Sequence, residues 1–135
     1  MADGAKDLSE RRDLRSYGAK TLAQDDSVSP VETFSDGDWS EVLASPGPVV
    51  ACFWAEWCVP SRGMQGALAA VAPRFGGRMR LGLLDVEQSP ETPRRHAVRG
   101  LPTLLMFRQG RETLRRVGLV PLQDLLVLLE AAAST

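Results

Sequence analysis

The sequence is short of the residues that build disulfide frameworks and metal sites. It holds two cysteines and one histidine in 135 residues. Two cysteines are too few for a disulfide scaffold. One His and two Cys at these spacings make no credible zinc site, so neither a metal nor a cofactor is expected. Excess charge is also missing: 16 basic and 17 acidic side chains leave a net charge of −1. That balance excludes a nucleic-acid binder held by a global basic field. No apolar run approaches the roughly 18 consecutive residues of a membrane-spanning helix. Met1–Asp25 mixes both charge signs and has no apolar block, unlike a secretory leader. The expectation is a soluble, cytoplasmic single domain with no nucleic-acid or membrane partner. What is present, 44% apolar and 24% charged residues, is an ordinary globular balance. Oligomeric state is not legible.

Residues 1–29 differ from the rest. They are polar, with scattered apolar residues (Leu8, Leu14, Tyr17, Leu22, Val28) that cannot support a core. They read as a flexible or partly helical N-terminal tail, or as a partner-docking segment; residues 30–135 read as the folded domain. Lys6 and Lys20, the only lysines, lie in the tail. From Val31 the elements alternate. Val31–Phe34 reads as a strand. Ser35 with Asp38 resembles a capping box ahead of Trp39, Val42 and Leu43. Val49–Trp54 is a continuous apolar run, as in a strand covered on both faces. A helix is expected from Cys58–Ser61 to about Arg74, with Gly63 and Gly66 as sites for a bend. Leu81–Val86 reads as a strand, and Ser89-Pro90 as the cap of a short helix reaching about His96. Thr103–Phe107 and Glu112–Val117 read as a hairpin turning at Gly110. Pro121 opens a last helix with a Leu122, Leu125, Leu126, Leu129 stripe. The order β-α-β-α-β-α-β-β-α predicts parallel pairing through helical crossovers and an antiparallel end.

The chemistry concentrates around Cys58. The segment F-W-A-E-W-C-V-P-S, Phe53 to Ser61, leaves a buried strand and enters a helix. A thiol there meets unpaired backbone N–H groups and the positive end of the helix dipole, which favour an anion. A usable thiolate is therefore expected at Cys58, with Arg62 as a modulating positive charge.

From about Val31 to Ala132, roughly three quarters of the chain, the sequence resembles the thioredoxin family. Phe53–Ser61 resembles that family's F-W-A-E-W-C-G-P-C. Val98-Arg99-Gly100-Leu101-Pro102-Thr103 resembles its cis-proline segment, Phe107–Gly110 its hairpin, and Gly118 its later glycine. The resemblance implies an α/β fold with a central mixed β-sheet flanked by helices on both faces. It implies that Trp57 shields the thiol and that Leu101–Pro102 carries a cis bond. It also implies that backbone groups there pair with an extended partner. Trp57, Val59, Pro60, Leu101 and Pro102 are the expected substrate-binding surface.

Three departures occur together. Ser61 stands where the family has its second, resolving cysteine, Cys52 where it has a buried Asp, and Leu83 where it has that Asp's Lys partner. Without a resolving thiol, a buried carboxylate and ammonium have no task and are costly. Cys58 can still form a mixed disulfide, but an external thiol must release it. Cys58 and Ser61 are the expected catalytic pair, Ser61 as a polar neighbour able to donate a hydrogen bond to the thiolate. The leading function is monothiol exchange of the isomerase or deglutathionylation type rather than fast net reduction. Protein thiols or disulfides are the expected partners, with glutathione or a thioredoxin-reductase-type donor. The alternative is a redox-inert adaptor or chaperone-like binding module. Cys52 reads as core packing, or else as a thiol that pairs with Cys58. His96 reads as a surface residue near a helix end, Glu56 and Asp85 as polar rim, and Trp39 and Trp54 as packing. Arg94, Arg95, Arg99, Arg115 and Arg116 read as solvated faces or contacts for an acidic partner.

Overall fold

A run such as V-V-A-C-F-W has no polar face to show to water, so the chain must cover it on both sides. In the computed structural model, which describes residues 31–134, this is what surrounds it. The elements are β1 (Val31–Phe34), α1 (Trp39–Leu43), β2 (Val49–Trp54), α2 (Val59–Val71), β3 (Arg80–Asp85), α3 (Glu91–Arg95), β4 (Thr103–Arg108), β5 (Arg111–Val117) and α4 (Leu122–Ser134). The tail assigned to residues 1–29 lies outside the described residues. The sheet runs β1-β3-β2-β4-β5. Central β2 is parallel to β3, with Val50 opposite Leu81, and antiparallel to β4, with Ala51 opposite Leu105.

Alternation along β2 splits its side chains between two cores. Val50 and Cys52 face α2 and α4, packing with Met64, Leu68, Leu125 and Leu129. Val49, Ala51 and Phe53 face α1, packing with Trp39, Val42 and Phe107. This is the mixed sheet with helices on both faces that the sequence implies. Parallel β2 and β3 end at the same edge of the sheet. The loops leaving them, together with the loop entering antiparallel β4, therefore meet there.

Several boundaries differ from expectation. The α1 helix begins at Trp39 rather than after Ser35, because only half of the capping box forms: the Asp38 carboxylate accepts the Ser35 N–H at 2.8 Å. The α2 helix runs unbroken through Gly63 and Gly66 but stops at Val71. Pro73 cannot supply the next α-helical N–H, and Ala72–Phe75 tightens into a 3₁₀ turn. Strand β3 spans Arg80–Asp85, one residue earlier than expected. In the hairpin, Gln109 and Gly110 adopt φ of 54° and 79°, as a two-residue type I′ turn requires. At α4, Leu122 is half-exposed and leaves the apolar stripe, while Val120 just before it is buried in the core.

Ser89 does not cap α3. Its hydroxyl accepts the Asp36 N–H at 3.0 Å. The cap comes instead from Asp36, whose carboxylate accepts the N–H groups of Glu91 and Thr92 and the Thr92 hydroxyl at 3.0, 2.8 and 2.7 Å. Two carboxylate oxygens satisfy three donors, which one hydroxyl could not. This ties the β1–α1 loop to α3. Burial alone would raise the Asp36 carboxyl. The Thr92 hydroxyl, the Glu91 and Thr92 amides and the Arg94 charge outweigh it and hold the group below its ordinary value.

Two outcomes follow for stability. Asp36→Ala should cost about 1 kcal/mol in urea unfolding near neutral pH, as for other lost caps. Because the folded carboxyl sits low, its contribution is present above about pH 4 and fades as pH falls through the folded value. The wild-type and Asp36→Ala curves should therefore converge in acid. At Gly82, an added Cβ would collide with the buried Phe34 ring. Gly82→Ala should cost about 1–3 kcal/mol by overpacking, read by the same titration.

Candidate functional site

The chain leaves β2 at Trp54 and must turn before α2 can start. Cys58 is the N-cap of that helix, with extended φ and ψ of −100° and 107°. Its own N–H donates to the Ala55 carbonyl at 3.1 Å, and its carbonyl accepts from the N–H groups of Ser61 and Arg62 at 3.1 Å each. The thiol is thus held at the mouth of the helix, half-buried and unpaired. Its sulfur lies 3.8 Å from the Leu101 carbonyl oxygen.

Ser61 does something other than expected. It is fully buried. Its hydroxyl lies 2.8 Å from both the Ala55 and Cys58 carbonyl oxygens and accepts the Ala55 N–H at 3.2 Å. A hydroxyl has one proton, and the acceptors within its reach are these two backbone carbonyls, the Ala55 oxygen also taking the Cys58 N–H and the Cys58 oxygen the Ser61 and Arg62 N–H groups. The expected hydrogen bond to the sulfur is therefore not made. Ser61 staples the 55–58 turn that carries the thiol.

Cys52 is fully buried on β2, and burial pushes its thiol up to about 12. It forms no disulfide with Cys58. Leu83 is its direct register partner on β3. The two departures noted in the sequence are therefore neighbours on paired strands, an apolar pair inside the sheet.

Trp57 is 66% exposed, and its indole N–H donates to the Glu87 carboxylate at 2.7 Å. Sequence spacing gave no signal for Glu87. The Leu101–Pro102 bond is cis. Around it, the Thr103 hydroxyl donates to the Gly100 carbonyl at 2.6 Å. The Gly118 N–H donates to the Pro102 carbonyl at 2.7 Å, and Gly118 has φ of +96°. Pro102 is buried, while Val59, Pro60 and Arg62 lie exposed on the first turn of α2. Among the described residues the Arg62 side chain makes no hydrogen bond or ion pair, so it adds charge without contact. A groove of about 610 Å³ runs beside the thiol, lined by Trp57, Cys58, Pro93, Arg94, Arg99 and Leu101 among others.

Two other readings need correction. His96 is not a surface residue. It is half-buried, packs on Trp39 and Phe107 with ring centroids 5.6 and 5.1 Å away, and accepts the Trp39 indole N–H at 2.9 Å. Burial, then the charges of Arg95 and Arg115 against Glu112, lowers its pKa and keeps it a neutral acceptor. Arg115 is not merely solvated: it pairs with both Glu112 oxygens at 2.9 Å and donates to the carbonyls of His96 and Ala97. Among the described residues no group of His, Cys, Asp or Glu is placed to hold a metal ion.

A thioredoxin family model matches residues 30–131. The chain is 35% identical over 99 residues to a thioredoxin of Rhodospirillum rubrum, covering 73% of this chain and 95% of that one. It is 39% identical over 84 residues to a thioredoxin of Thiocapsa roseopersicina, covering 62% and 92%. It is also 34% identical over 106 residues to the chloroplastic thioredoxin M4 of Arabidopsis thaliana, covering 76% and 55%.

The contrast between the two thiols has a direct readout. Iodoacetamide applied to the folded protein should label one cysteine, seen by intact mass. Cys58→Ser should abolish that label and Cys52→Ala should keep it, with Cys52 reacting only after denaturation. Equal labelling of both thiols in the folded chain would contradict the burial described here.

Proposed function

The chain belongs to the thioredoxin family, whose function is thiol–disulfide redox chemistry, and on that premise we propose that it acts as a monothiol exchanger through Cys58. The observation that carries this is the single accessible thiol: Cys58 opens onto the groove, Ser61 occupies the position of a second thiol, and Cys52 is sealed in the core. In the exchange, the Cys58 thiolate attacks one sulfur of a partner disulfide. A bond forms between Cys58 and that sulfur as the old S–S bond breaks, and the other sulfur leaves as a thiolate that takes up a proton. An external thiol, glutathione or another thiol of the partner, then attacks the mixed disulfide and frees Cys58. Nothing at position 61 does this from within, so isomerisation and deglutathionylation are favoured over fast net reduction.

The loop before β4 supports the binding half of the reading. The Pro102 carbonyl is occupied by Gly118. Among the described residues the Leu101 N–H makes no hydrogen bond. An extended partner segment laid along this loop gains that donor, a β-augmentation contact, while Trp57 and Val59 offer exposed apolar surface beside it. That same exposed surface favours a second reading, a redox-inert adaptor that holds a partner without chemistry.

Insulin reduction and a glutathione-coupled assay on a glutathionylated peptide separate the two. Exchange predicts slow insulin reduction, clear deglutathionylation and a trapped adduct on Cys58. Cys58→Ser should lower the glutathione-coupled rate by at least about 100-fold, as loss of a covalent nucleophile does. Partner binding that survives Cys58→Ser, with no adduct ever captured, would instead establish the adaptor.

A further inference from the structure

Apart from Cys58 itself, the residues lining the groove are apolar or glycine with two exceptions, Arg94 and Arg99, and both exceptions are cationic. No carboxylate lines it. Of the acidic groups near it in the chain, Glu91 pairs with Arg94 at 2.9 Å and Glu87 accepts the Trp57 indole N–H, while Glu56, beside Trp57, is exposed and lies outside the lining. Among the described residues Arg99 has no hydrogen bond or ion pair at all. The Arg94–Glu91 pair is exposed on both sides, with 69% and 72% of the side chains accessible, so water screens it and an incoming carboxylate can compete for the guanidinium. A guanidinium recognises a carboxylate with two parallel N–H bonds, which fixes orientation as well as charge.

Resting on the exchange reading above, we infer that Arg94 and Arg99 are specificity-determining residues that select partner peptides carrying acidic residues beside the reactive cysteine. The apolar wall of Pro93, Val98 and Leu101 receives the peptide's aliphatic carbons. The two guanidiniums receive its carboxylates. The cysteine sulfur is thereby brought to Cys58 from a peptide laid along the loop. Such charge recognition acts mainly on the encounter rate and weakens with salt.

The test uses the full chain and three short peptides, each with one cysteine activated as a 2-thiopyridyl disulfide and flanked by glutamate, glutamine or lysine. Transfer of the peptide to Cys58 releases pyridine-2-thione, whose absorbance gives the second-order rate. At low salt the glutamate peptide should react about three- to tenfold faster than the glutamine peptide, and the lysine peptide slowest. The preference should shrink as salt rises. The glutamate-to-glutamine ratio should fall toward one in Arg94→Gln/Arg99→Gln and at least halve in Arg99→Gln, which breaks no pair. Arg78→Gln, at the opposite end of the sheet, should keep the ratio. An equal rate for the three peptides, or a preference that persists in the double variant, would overturn the inference. Non-reactive peptides with serine for cysteine, followed by tryptophan fluorescence, read the groove without the thiol. Binding that favours glutamate and depends on the arginines, with no thione released, would sink the exchange reading and keep the selectivity. Thione release with no charge preference would do the reverse.

Discussion

The hydroxyl of Ser61 joins the central strand to the helix that follows it. Strand β2 is covered on both faces, so its backbone must leave the sheet at Trp54 and redirect within a few residues. The turn this creates leaves the carbonyls of Ala55 and Cys58 and the N–H of Ala55 facing inward, and one buried serine meets all three. Everything the site can do depends on that closure. It sets Cys58 at the helix mouth, turns Val59 and Pro60 outward, and leaves the sulfur facing the loop before β4 rather than the core. A second thiol at this position would have a redox partner's role; the serine has a mason's role, and the difference is made by a proton committed to backbone oxygen.

A second tie holds the other wall of the groove. Asp36, from the link between β1 and α1, binds the start of α3 through both carboxylate oxygens. A five-residue helix has little stability of its own. Its placement beside Cys58 rests on this long-range carboxylate, on buried Thr92 and Pro93, and on Arg115 drawing in the carbonyls of His96 and Ala97. The two sides of the groove are thus set by polar contacts at loop ends, above a core that is almost wholly apolar.

Much of this was legible in the sequence, and the reason is periodicity. The continuous run of β2, the leucine stripe of α4 and the Gly110 turn each depend on neighbours in the chain, and each element starts within a residue of its expected place. The motif around Cys58 and the Leu101–Pro102 segment are legible through their resemblance to the thioredoxin family. What was not legible is what crosses the fold. Ser89 reads as a cap because serine before proline is a local signal, but a carboxylate 55 and 56 residues away supplies the contacts. His96 reads as a surface residue because it lies near a helix end; its burial comes from Trp39 and Phe107, which no spacing rule brings to it. Ser61 stands out in the motif, but its partner does not follow from it, since the direction of a hydroxyl proton depends on which acceptors the folded turn brings within reach. Glu87 carried no signal at all.

The seclusion of Cys52 bears on how such a molecule stores an electron pair. A protein with two neighbouring thiols can close upon itself, and its oxidised fraction then reports only the ambient potential. With Cys52 sealed away, a disulfide at Cys58 has to be intermolecular, joined to a second copy of the chain, to another protein or to a small thiol. Its abundance obeys mass action, rising with the concentration of whatever is joined and falling on dilution. For a thiol so placed, the extent of oxidation depends on the stoichiometry and size of what it can join as much as on how oxidising its surroundings are.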